Sequence, residues 1–164
     1  MAEEMGLMRG ALTCILVFTF LMAGANKVSD QIHPETHQFL SQGFVVYGRN
    51  YWHHHLRTVV HAAKQEEFLP MLELLLLDDS SGSYETFMKN IGFIEIFAAA
   101  MMLLGGAADK MASLVLFLLM VGATAMHYSL GEMDKLVPTA VLATLVVMRM
   151  SMPGKPAKKK AKQQ

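Results

Sequence analysis

Glu95, His127 and Arg149 sit inside or at the ends of runs otherwise suited only to lipid: IGFIEIFAAAMMLLGG, MASLVLFLLMVGATAMHY and LVPTAVLATLVVMRM. An ionisable side chain at the centre of a membrane helix costs roughly 2.5–3.5 kcal/mol on insertion scales. Such a residue faces the interior of a bundle, a cavity or a partner. The expected fold is therefore all-α, a four-helix transmembrane bundle with polar groups turned inward. Arg149 and His127 are the candidate cations for Glu95. A purely structural polar cluster and a ligand or partner site both fit this pattern. Arg149, near the end of its run, also has the simpler option of snorkelling to the interface.

Composition agrees. Of 164 residues, 53% are hydrophobic and only 17% charged, where soluble domains carry about 25%. The net charge is zero, so no general field draws in nucleic acid. Membrane lipids and neighbouring or client membrane-protein subunits are the expected partners. Cys14 is the only cysteine, which excludes an internal disulfide. Its place in an apolar run predicts inert packing.

About 20 apolar residues cross the hydrocarbon core. On that measure the chain reads as one membrane domain over residues 1–152, with spans at 7–25, 88–106, 111–130 and 136–152. The acidic start (Glu3, Glu4) and the weak small-x-small site around Gly24 favour a retained first span over a cleaved signal peptide. An extramembrane helical insert over 28–87 forms an additional interfacial or lumenal segment. Pro34 starts a first helix there. A second runs over 56–77, interrupted at Pro70, and residues 78–83 read as a loop. Gly105-Gly106-Ala107 ends the second span, and Asp109-Lys110 lies in a loop. The basic tail over 153–164 directly follows the last span, which places it in the cytosol. Four crossings then return the N-terminus to the same side.

The last five residues, Lys160-Ala161-Lys162-Gln163-Gln164, have the K-x-K-x-x form of a dilysine retrieval signal, an address read by a receptor. A basic cluster held by anionic lipid is the alternative. His127-Tyr128-Ser129-Leu130-Gly131 has the chemistry of an interfacial helix end, with glycine as the terminator. His33 and His37 share a helix face at i, i+4. The later histidines 53, 54 and 55 point about 100° apart on a helix, and no cysteine lies nearby, so no metal site is expected. No phosphate-binding glycine loop, nucleophile elbow or catalytic carboxylate pair is present. A non-enzyme without a cofactor is the reading of the residues.

Gly24-x-x-Lys27, Ile91-Gly92-x-x-Glu95, His127-x-x-x-Gly131-Glu132 and Arg149 stand in an order and spacing that resemble the DoxX-like superfamily. Within it the likeness is to the transmembrane protein 35 branch, whose members are acetylcholine-receptor-chaperone-like. The likeness covers the four spans and thins between Val28 and Asn90, where this chain has a longer, more His-rich insert. It implies a four-helix membrane bundle in the endoplasmic reticulum, with another organellar membrane as the alternative. It also implies work as an assembly factor for other membrane proteins, and a polar cluster made of Lys27, Glu95, His127, Glu132 and Arg149. The competing functions are an accessory subunit of a large membrane complex and a redox-linked or small-molecule-binding membrane protein built on Glu95 and His127.

Overall fold

The structure is a computed structural model that describes residues 2–49, Thr58 and residues 81–152. The helix expected over 56–77, its break at Pro70, His53, His54, His55 and His61, and the tail with Lys160 and Lys162 lie outside the described residues. Five helices are described: α1 (Ala2–Val28), α2 (Pro34–Tyr47), α3 (Ser81–Leu104), α4 (Gly106–Ser129) and α5 (Met133–Ser151). Helix α1 packs on α3, α3 on α4, α4 on α5, and α5 back on α1, which closes a ring of four long helices. Each neighbour in the ring runs antiparallel to the last, so α1 begins and α5 ends at the same end of the bundle.

Among the described residues three helices are long and apolar enough to cross a membrane: Glu4–Val28, Gly82–Leu104 and Gly106–Ser129. The fourth expected span differs in kind. Helix α5 is 19 residues long and carries Asp134, Lys135 and Arg149, more charge than a free-standing span tolerates. Its apolar residues and Arg149 are accommodated by packing against α4 and α1.

The core is built at helical spacing. Leu16, Val17 and Phe20 of α1 meet Ala98, Ala99 and Met102 of α3, Ala112, Leu116 and Met120 of α4, and Val146 of α5. That inward face turns Cys14, Ile15 and Phe18 outward. Cys14 is thus exposed, contrary to the packed position expected of it.

The helix α1–α3 contact is set by two glycines. A Cβ on Gly24 would lie 2.6 Å from the Gly92 carbonyl oxygen, and one on Gly92 would lie 2.7 Å from that of Gly24. Only glycine allows backbones to approach so closely. Between α3 and α4 the chain reverses through one residue. Gly105 and Gly106 take φ of 76° and 64°, the left-handed region that other residues enter at a cost of about 1–2 kcal/mol each. Two expected loops are shortened, the one at Asp109-Lys110 by this tight reversal and the one over 78–83 in its described part, residues 81–83. Helix α4 starts at Gly106, which puts Asp109 and Lys110 inside it, and α3 starts at Ser81, which puts Ser81–Ser83 in its first turn.

Helix α2 lies across the other end of the ring, against α3 and α1. Pro34 is in its first turn, as its sequence predicts, and His33 caps it by accepting from the Thr36 amide at 3.3 Å. At its far end Gly48 rests against the ring of buried Tyr84, with no room for a Cβ.

Candidate functional site

The buried ionisable side chains among the described residues fall into three groups, each with its own partners. The first lies just past the glycine crossing. Gly24 and Lys27 are one turn apart on α1, and Gly92 and Glu95 are one turn apart on α3. Close approach at the glycines brings the Lys27 side chain along α3, and its Nζ donates to Glu95 Oε2 at 2.6 Å. Glu95 is only 3% exposed, which keeps its carboxyl out of lipid. Its partner is Lys27. Neither of the cations expected for it is in contact: His127 and Arg149 are each engaged at opposite ends of the bundle.

The second group grows from a helix terminus. Helix α4 ends with Gly131 at φ 72°. The Gly131 amide donates to the Tyr128 carbonyl at 3.1 Å, and the Glu132 amide to the His127 carbonyl at 2.9 Å. This pair of bonds is a Schellman motif, in which the second residue past the helix cap is folded back on the last full turn. That position commonly makes an apolar contact with the residue it covers. Here the pair is ionisable, and His127 Nδ1 lies 2.8 Å from Glu132 Oε2. Glu132 Oε1 accepts from Lys135 Nζ at 2.7 Å, and Lys135 also donates to the Tyr47 hydroxyl at 3.0 Å. The Tyr47 ring stands edge-on to His127, with centroids 5.5 Å apart. Lys135 Nζ lies 5.6 Å from the ring centres of both Phe39 and Tyr47.

Burial works to raise the Glu132 carboxyl, but hydrogen bonds from Lys135 and His127 outweigh it and hold the group below the usual carboxylate range. The Glu132 carboxylate, and then Tyr47, hold the Lys135 ammonium above the usual lysine range. The Glu132 contact fixes a proton on His127 Nδ1 and leaves Nε2 without a partner among the described residues.

The third group occupies the opposite end. Asp109 is one turn into α4 and faces two arginines. Arg9 of α1 donates through Nη2 to Asp109 Oδ2 at 2.7 Å. Arg149 of α5 places Nη1 2.6 Å from Asp109 Oδ1, a close charge contact whose angles do not make it a hydrogen bond. Arg149 donates from Nε to Thr13 at 2.8 Å, from Nη1 to Ser113 at 2.8 Å, and from Nη2 to the Met102 carbonyl at 3.5 Å. One guanidinium therefore touches all three other helices of the ring. Arg149 is 2% exposed, so it does not snorkel. Arg9 also donates to the Met152 carbonyl, just past α5.

The five residues expected in one polar cluster are thus divided among three. Sequence reasoning missed Asp109, which it placed in a loop, and gave no role to Arg9, Tyr47 or Lys135. A usable signal existed for Asp109: two arginines in apolar helices that begin and end at one side require an acid nearby. His33 and His37 are both occupied locally, His33 as the cap of α2 and His37 through Nδ1 at 2.8 Å from the Asn26 carbonyl. Among the described residues no group of three or more potential metal ligands is gathered.

A family model described as the DoxX-like family matches residues 58–149, more than half of the chain. The chain belongs to that family. The matched stretch contains Glu95, Asp109, His127, Glu132, Lys135 and Arg149, while their partners Lys27, Arg9 and Tyr47 precede it. No curated protein matches the chain, so the likeness to the transmembrane protein 35 branch stands on the short motifs alone.

Proposed function

We propose that this DoxX-like membrane protein is a non-catalytic assembly factor that binds helices of other membrane proteins within the bilayer. One observation carries the reading: the buried ionisable groups hold one another, and the outer faces are left apolar. Phe18, Phe93, Phe97, Leu103 and Leu118 point away from the core. Between α4 and α5 an open groove is lined by Val121, Thr124, Ala125, Tyr128, Leu136, Ala140 and Ala143. Small side chains let a helix backbone come close, and close packing is what drives helix association in lipid. The charged groups are then a frame for the bundle; they do not reach out to a client's polar residues.

In this proposal α5 crosses the membrane as a fourth span, shielded by α4 and α1. The lysine tail places both termini in the cytosol, and Lys160 and Lys162 return the protein to the endoplasmic reticulum. A client among pentameric ligand-gated channels is what the family likeness suggests. Native purification followed by mass spectrometry tests the reading. Substoichiometric membrane proteins should copurify, and Ala125→Leu with Ala140→Leu should reduce them severalfold without lowering the melting temperature. Neighbours in fixed stoichiometry would make it a complex subunit instead.

A second reading has one observation behind it. The Nε2 of His127, which has no partner among the described residues and lies beside Glu132, Lys135 and Tyr47, is suited to a small polar ligand at the membrane surface. A bound small molecule lost on His127→Gln would replace the assembly-factor reading.

A further inference from the structure

The two arginines at the end where α1 begins face a single acid. Arg9 and Arg149 both contact Asp109, and among the described residues no other acidic group lies against either. Among the described residues that leaves one positive charge in excess beside the buried Asp109 and Arg149. Buried charges are stable when paired and costly when not. Arg149 is fully used: Thr13, Ser113, Asp109 and the Met102 carbonyl take its nitrogens. The surplus is therefore presented by Arg9, whose side chain is 19% exposed and whose Nε has no partner among the described residues.

The backbone adds to the same field. Asp109 turns its carboxylate inward and does not cap its own helix, and the N-cap residue Gly105 offers no side-chain hydrogen bond. Asp109, in the first turn of α4, is thus, among the described residues, the one acid shared by the positive end of that helix and by both arginines. Depth identifies the occupant. Arg9 is two residues into the apolar run that opens at Leu7 and Asp109 two before the run that opens at Met111, so at about 1.5 Å per residue both lie within about 3 Å of the edge of the hydrocarbon. That edge borders the head groups in a bilayer whose polar regions add about 5–8 Å on each side of the hydrocarbon.

We propose that Arg9, backed by Arg149 and the first turn of α4, binds the phosphate head group of an anionic lipid. A guanidinium fork suits phosphate oxygens, which accept two parallel hydrogen bonds. The test uses the full chain in vesicles of phosphatidylcholine with or without phosphatidylglycerol, followed by native mass spectrometry of retained lipid. One phosphatidylglycerol should be retained in preference to phosphatidylcholine. Arg9→Gln should weaken that retention at least about tenfold, the worth of one charged hydrogen bond. Lys110→Gln removes the same charge from an exposed neighbouring position and should leave retention unchanged. Arg9→Lys, which keeps the charge and the contact with Asp109 but loses the fork, should fall between. If Arg9→Gln does not fold, the lipid preference of the wild type decides. Equal retention of both lipids by the wild type overturns the proposal. So does an equal loss in the Arg9 and Lys110 variants, which would mark general attraction to a charged surface. Protection in detergent by inorganic phosphate as strong as by the lipid would overturn the lipid as occupant.

Discussion

At one end of the bundle His127 meets Glu132 five residues further along the chain; at the other, Arg9 meets Asp109 a hundred residues further along. The first contact is the product of a helix terminus and needs little besides Gly131 and the turn it permits. The second exists only when α1, α4 and α5 are all in place. The local end is also the wetter one: Lys135 and Glu132 keep 33% and 26% of their side-chain surface, against 3% and 6% for Arg149 and Asp109. The same kinds of side chain therefore do different work. At the exposed end they fix a loop and a ring nitrogen, and at the buried end they hold four helices together.

The most direct way to break this comparison is to remove one acid from each end. Asp109→Asn leaves two guanidiniums against a neutral amide. It should cost about 3–5 kcal/mol, as breaking a buried pair does, and should be read as a large drop in melting temperature of the purified protein in detergent. Glu132→Gln should cost about 0–1 kcal/mol, the range of exposed pairs. Equal losses would mean that the two ends carry equal weight.

A change between the ends sharpens it. Gly92→Ala puts a methyl 2.7 Å from the Gly24 carbonyl oxygen, so α1 and α3 must separate and the Lys27–Glu95 contact must lengthen. Overpacking of this kind costs about 1–3 kcal/mol. At Gly122 of α4 an alanine methyl would meet nothing within 4 Å. Gly122→Ala should therefore be neutral or stabilising by about 0.5–1 kcal/mol, the helix preference of alanine over glycine. A loss at Gly122 as large as at Gly92 would show that helix propensity, not the crossing, sets the response.

The smallest effect is a dependence on pH. Glu132 is held below its ordinary value of 4.5, so its contribution is present above that value and disappears as pH falls through the lowered one. Lys135 is held above its ordinary value of 10.5, so its contribution is complete below that value and is lost as pH rises through the raised one. Melting temperature should be flat between these limits and fall on both sides. Glu132→Gln should flatten both limbs, because it removes the group that titrates in acid and the main partner of the group that titrates in alkali. Unchanged limbs in that variant would place the titrating groups elsewhere.

What the sequence disclosed follows the same division. Short-range features were legible: the proline start of α2, the glycine end of α4, and the burial of Glu95. The pairing of Gly24-x-x-Lys27 with Gly92-x-x-Glu95 was half legible, since each motif shows a glycine one turn from a charge, but nothing in a linear string of residues says which helix lies against which. Asp109 was hidden by its neighbours. Two glycines followed by Ala-Ala-Asp-Lys read as a loop, because a reversal completed in one residue is uncommon and leaves no polar linker to mark it. The expected fourth crossing is the part that α5 leaves open, because its three charges set it apart from the helices apolar enough to span.

The hundred residues between Arg9 and Asp109 also impose a timetable. At roughly 5–20 residues per second the ribosome adds Asp109 on the order of 5–20 s after Arg9. Glu95 follows Lys27 by 68 residues, so the first helix enters the membrane with both of its cations waiting for acids not yet made. Through that interval the two cations of α1 lack the acids they pair with in the finished fold, and the bundle cannot lock until α4 and α5 arrive. Birth order thus makes the N-terminal helix wait longest for its partners, although it is the first to be synthesised.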